Sequence, residues 1–159
     1  LLRFSQKDKT KKYYGYDLVD SSQKIINTIA KQNNIDLFGY KFDFTNPNYE
    51  IEFPNNSVVY TFGALEQIGA KWNNFLNFLL EKKPRLIINV EPLEELYDQN
   101  SFFDFIAYKY HKKRNYLSGY LTKLKELEKN KLINIIKIHK KCFGDMYNDT
   151  HSYVIWKIQ

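Results

Sequence analysis

The sequence predicts an α/β fold in which parallel strands carry helices on both faces. Short apolar and β-branched runs alternate with amphipathic stretches along the 159 residues. Four of these runs end in a carboxylate, and the acids lie about 25 residues apart, roughly one strand, one helix and two turns. The acids are Asp17, Asp43, Glu66 and Glu91. Because ligands of open α/β sheets bind beyond the carboxyl ends of strands, this edge is the predicted site.

The predicted strands are short runs rich in β-branched and aromatic residues. They cover residues 13–17, 37–44, 57–62, 86–90, 133–138 and 153–158. The nearly continuous apolar run at 86–90 is typical of a central parallel strand, which is covered on both faces. A loop at 143–151, too short for a crossover helix, joins the last two strands and predicts that the final strand is antiparallel.

The predicted helices show apolar residues at helical spacing. They cover about residues 21–33, 72–80, 100–110 and 121–128, and residues 1–12 resemble the end of another helix followed by a polar turn. Asp20, Ser21 and Ser22 can each cap the first full helix. The apolar stripe that begins at Trp72 predicts a helix packed on the sheet.

Composition predicts one domain over residues 1–159, with 43% hydrophobic and 26% charged residues. The sequence has neither an apolar run of the roughly 20 residues needed to span a bilayer nor a signal-peptide pattern, so the cytoplasm is the expected compartment. Cys142 is the only cysteine, which excludes an internal disulfide and a cysteine-based zinc cluster. No metal site is expected.

The net charge of +6 and the pI near 9.2 raise the question of nucleic-acid binding. Basic residues cluster at 7–12, 109–114 and 137–141. The accompanying abundance of Lys, Asn, Ile, Tyr and Phe is, however, what an AT-rich coding sequence produces without selection for binding. We therefore do not expect nucleic acid to be the main partner.

Four longer motifs point to a known family. They are TFGALEQIG at 61–69, IINVEPLEELYD at 87–98, YHKKRNYLSGYL at 110–121 and FGDMYNDTHSYVIWK at 143–157. With these motifs the chain resembles a class I S-adenosylmethionine-dependent methyltransferase, in a bacterial subgroup that acts on small molecules or sugars. The resemblance runs from the family's second strand to its end. It implies a Rossmann-like sheet of order 3-2-1-4-5-7-6 whose last strand is antiparallel.

The resemblance also implies a cofactor side. Asp17 matches the acid that accepts the ribose hydroxyls of S-adenosylmethionine, since a carboxylate suits a vicinal diol. Asp43 matches the position that bonds the adenine amino group, with Phe44 covering the ring, and Phe62 is also expected to bind the cofactor. The alternative is that both acids only cap the helices that follow them.

The sequence departs from the family in lacking the glycine-rich loop that binds the methionine end of the cofactor. The sequence contains no G-x-G, its first residue is not Met, and residues 1–4 resemble the helix that follows such a loop. We therefore expect a piece of a longer protein without strand one and its loop, and we do not expect this segment to be active alone.

Methyl transfer to a hydroxyl requires alignment of the acceptor and a base that removes its proton. The candidates for catalysis are His111, Glu91 and Glu66. The alternatives are that His111 is a helix-surface residue, that Glu66 caps the helix carrying Trp72, and that Glu91 bonds backbone amides. The candidates for substrate binding are Gln67, Tyr97, Arg114, Asn115, Tyr147 and His151.

The main hypothesis is methyl transfer to a small polar acceptor, for which a sugar hydroxyl in surface-polysaccharide assembly is one candidate. An NAD-dependent oxidoreductase also places an acid after the second strand, and it stays an alternative. So does a non-catalytic module, including one that binds nucleic acid, built on a methyltransferase scaffold. The sequence leaves open the acceptor, the methylated atom and the oligomeric state.

Overall fold

All six predicted strands are present in the computed structural model, which describes residues 1–141 and 151–159. The chain divides into two compact units, Leu1–Asn48 and Tyr49–Gln159. The prediction of one domain over residues 1–159 stays a prediction. No helix in the described parts of the chain is both long enough and apolar enough to cross a membrane.

The smaller unit is a pair of parallel strands with a helix on one face. Its elements are α1 (Leu2–Lys7), β1 (Tyr13–Asp17), α2 (Asp20–Asn33) and β2 (Leu37–Lys41). The strands pair in register from Tyr13 opposite Leu37 to Asp17 opposite Lys41. Gly39 lets α2 approach closely, because a Cβ atom there would lie 2.8 Å from the carbonyl oxygen of Gln23.

Strand β2 ends at Lys41, three residues before the predicted end at residue 44. The carboxylate of Asp43 accepts both the N–H and the hydroxyl of Thr45, each at 2.7 Å. This local bonding turns the chain away from the sheet. The prediction that the strand continues to residue 44 is wrong because it relied on the apolar residues Phe42 and Phe44, which lie in or next to this turn.

The larger unit contains a four-stranded mixed sheet. Its elements are β3 (Val58–Phe62), α3 (Asn73–Lys82), β4 (Leu86–Glu91), α4 (Phe102–Arg114), α5 (Tyr120–Lys129), β5 (Ile133–His139) and β6 (Ser152–Ile158), with short 3₁₀ turns at Leu65–Ile68 and Glu94–Leu96. The strand order is β3-β4-β6-β5. β3 and β4 are parallel, and β6 is antiparallel to both of its neighbours, as predicted.

The two sheets reproduce two parts of the expected strand order. The β2-β1 pair corresponds to 3-2, and β3-β4-β6-β5 corresponds to 4-5-7-6. The α/β class and the Rossmann-like arrangement of the strands are confirmed.

The core of the larger unit surrounds a buried polar hub at Asn89. The side-chain oxygen of Asn89 accepts hydrogen bonds from the Tyr120 hydroxyl at 3.0 Å and from the Trp156 indole N–H at 2.8 Å. Its amide group donates to the Thr61 hydroxyl at 3.0 Å. Asn89, Tyr120 and Trp156 are fully buried. The hub therefore joins β3, β4, β6 and α5.

Replacing Asn89 by Leu should destabilise the larger unit by about 2–4 kcal/mol, because buried donors of Tyr120 and Trp156 lose their acceptor while the volume is kept. Urea unfolding measures the change. The exposed loop residue Asn55 provides the matched control, and Asn55→Leu should change stability by less than about 0.5 kcal/mol. Equal effects of the two substitutions would contradict a stabilising role of the Asn89 hydrogen bonds.

Candidate functional site

The acids Asp17 and Asp43 lie at the carboxyl ends of neighbouring parallel strands. β1 ends at Asp17, and Asp43 follows β2 closely. One oxygen of Asp17 accepts the Val19 N–H at 2.8 Å. Hydrogen bonds from the hydroxyl and N–H of Thr45 hold the pKa of Asp43 below its ordinary value. The two acids therefore share one edge of this sheet, while their roles toward a cofactor stay predictions.

The two aromatic residues predicted for the cofactor side have different surroundings. Phe44 follows Asp43 and contacts Phe42 edge-on, with ring centroids 5.5 Å apart. Phe62 ends β3, where its ring stacks on His151 with centroids 4.7 Å apart and 16° between the planes. The observed partner of Phe62 is thus a residue that was predicted for the acceptor side.

Glu91 ends β4 and is 0% exposed. Its carboxylate accepts the N–H groups of Ala64 at 3.2 Å and Glu66 at 3.3 Å. Burial raises the pKa of Glu91 from its ordinary 4.5 to about 7, although hydrogen bonds from Thr61 and from the turn act to lower it. Such a pKa suits a general base. The contacts nevertheless correspond to the alternative in which Glu91 bonds backbone amides.

Glu66 and His151 face each other beyond the end of β3. Nε2 of His151 lies 3.8 Å from one carboxylate oxygen of Glu66, and the other oxygen accepts the Gln67 side-chain amide at 2.8 Å. The His151 side chain is 24% exposed and the Glu66 side chain 15% exposed. A partly buried acid–imidazole pair that solvent still reaches is suited to binding and deprotonating an acceptor hydroxyl.

The short distance between the turn and His151 depends on Gly63. Gly63 has φ +57°, and a Cβ atom at this position would lie 2.8 Å from Nε2 of His151. Its N–H donates to the Val90 carbonyl at 3.0 Å, which continues the parallel pairing. Sequence reasoning missed this residue because a single glycine does not reveal what packs against it. The available signal was its place in the TFGALEQIG motif.

His111 is buried in α4 and 2% exposed, so the alternative of a helix-surface histidine is wrong. Its Nε2 lies 2.5 Å from the carbonyl oxygen of Leu117, to which the ring donates. Tyr97 and Tyr116 contact the ring edge-on. These contacts tie α4 to the loop before α5 and favour a structural role, whereas the role of general base stays a prediction.

The end of α4 adjoins the turn that carries Glu66 and Gln67. Asn115 caps α4 with φ +53°, and a Cβ atom on Gly69 would lie 2.7 Å from its carbonyl oxygen. Arg114 donates through Nε to the Tyr116 hydroxyl at 3.3 Å. The predicted substrate residues Gln67, Arg114 and Asn115 are therefore on adjoining segments.

Tyr147, which was predicted to bind the substrate, lies outside the described residues. Within residues 1–141 and 151–159, no three His, Cys, Asp or Glu side chains form a group that could hold a metal ion.

Comparison with solved structures finds methyltransferase domains. The methyltransferase domain of bacterial CtHen1-C has a TM-score of 0.63 at 12% identity, over 99% of this chain and 83% of that chain. The methyltransferase domain of bacterial CtHen1-CN has a TM-score of 0.57 at 15% identity, with the same coverage. No protein-family model and no curated protein matches the sequence. The chain therefore has a methyltransferase-like Rossmann fold.

Proposed function

We propose that this chain supplies the nucleoside and acceptor sides of an S-adenosylmethionine-dependent methyltransferase. The supporting observation is that Asp17, Asp43, Glu66 and Glu91 all lie at or just beyond the carboxyl ends of parallel strands, in a fold shared with methyltransferase domains. Ligands of open α/β sheets bind at these strand ends. Because a fold alone does not select a reaction, the proposal depends on the side chains.

The donor set of the smaller unit fits the nucleoside half of the cofactor. Val19 occupies one oxygen of Asp17, and among the described contacts the second oxygen accepts no hydrogen bond, so it can accept one from a ribose hydroxyl. Asp43 is held ionised by Thr45 and can accept from an amino group. Phe44 provides an apolar ring beside it. When bound, the cofactor supplies an electrophilic methyl group.

Glu66, His151 and Phe62 would serve the acceptor. The Glu66–His151 pair can orient a hydroxyl and take its proton, and Gln67 is bonded to the same carboxylate. Phe62 is 60% exposed and presents a flat ring next to the imidazole. A flat apolar ring beside an acid–base pair suits the apolar face of a sugar, so we propose a sugar hydroxyl as the acceptor. In this proposal the proton is taken by the Glu66–His151 pair and not by His111, whose Nε2 contacts the Leu117 carbonyl.

Asp17→Ala should weaken binding of S-adenosylmethionine to the full-length protein at least about tenfold, because the charge-assisted hydrogen bond from a ribose hydroxyl would be lost. Titration calorimetry measures this affinity. Asp20→Ala is the matched control, since it removes the same charge from an exposed pair with Lys41. Unchanged affinity of Asp17→Ala would refute the ribose role, and retained NAD without S-adenosylmethionine binding would favour an oxidoreductase.

His151→Gln should lower kcat for methyl transfer by about 100-fold, the usual contribution of one general base, while the affinity for S-adenosylmethionine stays within about twofold. Transfer of a labelled methyl group to a panel of sugars and nucleotide sugars measures the rate. His139→Gln is the control, because His139 lies exposed on β5. A similar loss in both variants would count against the acceptor site.

A further inference from the structure

We propose that Glu91 is a positioning residue whose buried carboxylate holds the turn after β3, so that Glu66 and His151 face each other. The effect of Glu91 on catalysis rests on the function proposed above, whereas its holding of the turn does not. Glu91 was predicted to act directly on the acceptor. Its side chain instead points into the protein, where it accepts the N–H groups of Ala64 and Glu66.

Glu91 lies where the two segments of the acid–imidazole pair meet. On one side its carboxylate bonds the backbone that begins the Leu65–Ile68 turn, and Glu66 belongs to this turn. On the other side Glu91 pairs with Ser152 in the β4–β6 ladder, and Ser152 directly follows His151. One buried residue is therefore connected to both partners.

Protonation of Glu91 changes what this carboxylate can hold. The ionised group offers an acceptor oxygen to each of the two N–H groups, whereas the neutral acid turns one of these oxygens into a hydroxyl donor. The turn should therefore be held less firmly when Glu91 is neutral. Because burial brings the pKa of Glu91 to about 7, this change falls near neutral pH.

Within residues 1–141 and 151–159, four other ionisable groups interact with Glu91 or belong to the segments that it joins. Burial, followed by the charge of Glu91, raises the pKa values of Tyr60 on β3 and Tyr120 on α5 above 10, so both phenols stay neutral near pH 7. The other two are Glu66 on the turn and His151 before β6. A test must therefore separate Glu91 from Glu66 and His151.

Amide NMR spectra recorded between pH 5.5 and 8.5 test the structural part. In the Glu66→Gln/His151→Gln protein, the N–H signals of Ala64 and residue 66 should shift with a midpoint near pH 7. Adding Glu91→Gln, which is neutral and nearly isosteric, should abolish that transition. A transition that survives Glu91→Gln, or its absence from the double variant, would overturn the proposal. If the triple variant does not fold, the presence or absence of the transition near pH 7 in the double variant decides whether Glu91 holds the turn.

Methyl-transfer kinetics test the catalytic part. Glu91→Gln should lower kcat by about 100-fold, the cost of a misplacement of about 1 Å, and leave the acceptor KM within about twofold. In the His151→Gln background, Glu91→Gln should also remove the rise in rate through pH 7. Unchanged kcat and an unchanged pH profile would overturn the positioning role. If the wild-type protein transfers no methyl group, the proposed function fails, and the NMR result still decides whether Glu91 holds the turn.

Discussion

The hydrogen bonds of the Asn89 amide are the interaction on which the larger unit depends. They join Thr61 of β3, Tyr120 of α5 and Trp156 of β6 at one buried point of β4. Buried polar groups are costly unless all of them are satisfied, so this hub permits one arrangement of the four elements. Apolar packing alone would tolerate small shifts between α5 and the sheet. The hub therefore contributes specificity as well as stability.

The same face of β4 connects this hub to the candidate site. Ile87, Asn89 and Glu91 alternate with less buried residues, and all three are 0% exposed. Along this face the strand passes from an apolar core residue to a neutral polar hub and then to an ionisable acid at the sheet edge. The burial that stabilises Ile87 is also what raises the pKa of Glu91. The site thus takes its electrostatic character from the core beneath it.

The two units differ in how strands support their terminal acids. In the smaller unit, Asp17 and Asp43 bond backbone within two residues of themselves, so local turns hold both carboxylates at the surface. In the larger unit, Glu91 bonds a turn supplied by a different strand. With local bonding, Asp17 and Asp43 stay partly exposed. With bonding across strands, Glu91 is fully buried.

The sequence by itself determined the strands, the antiparallel final strand and the placement of acids at strand ends. These follow from hydrophobic period, turn residues and loop length, which act over a few neighbouring positions. Among the predicted site residues it named Glu66 and His151, though not that they face each other. The end of β2 was missed because the Asp43 turn competes with apolar residues that suit a strand.

Only the tertiary structure decided which candidate side chains are buried and what they contact. It buried His111 against Leu117, directed Glu91 inward and stacked Phe62 on His151. It also required Gly63 where the turn approaches His151. Each of these contacts joins side chains or backbone brought together by the packing of different elements. Local sequence pattern carries no information about such partners, because the packing of whole elements selects them.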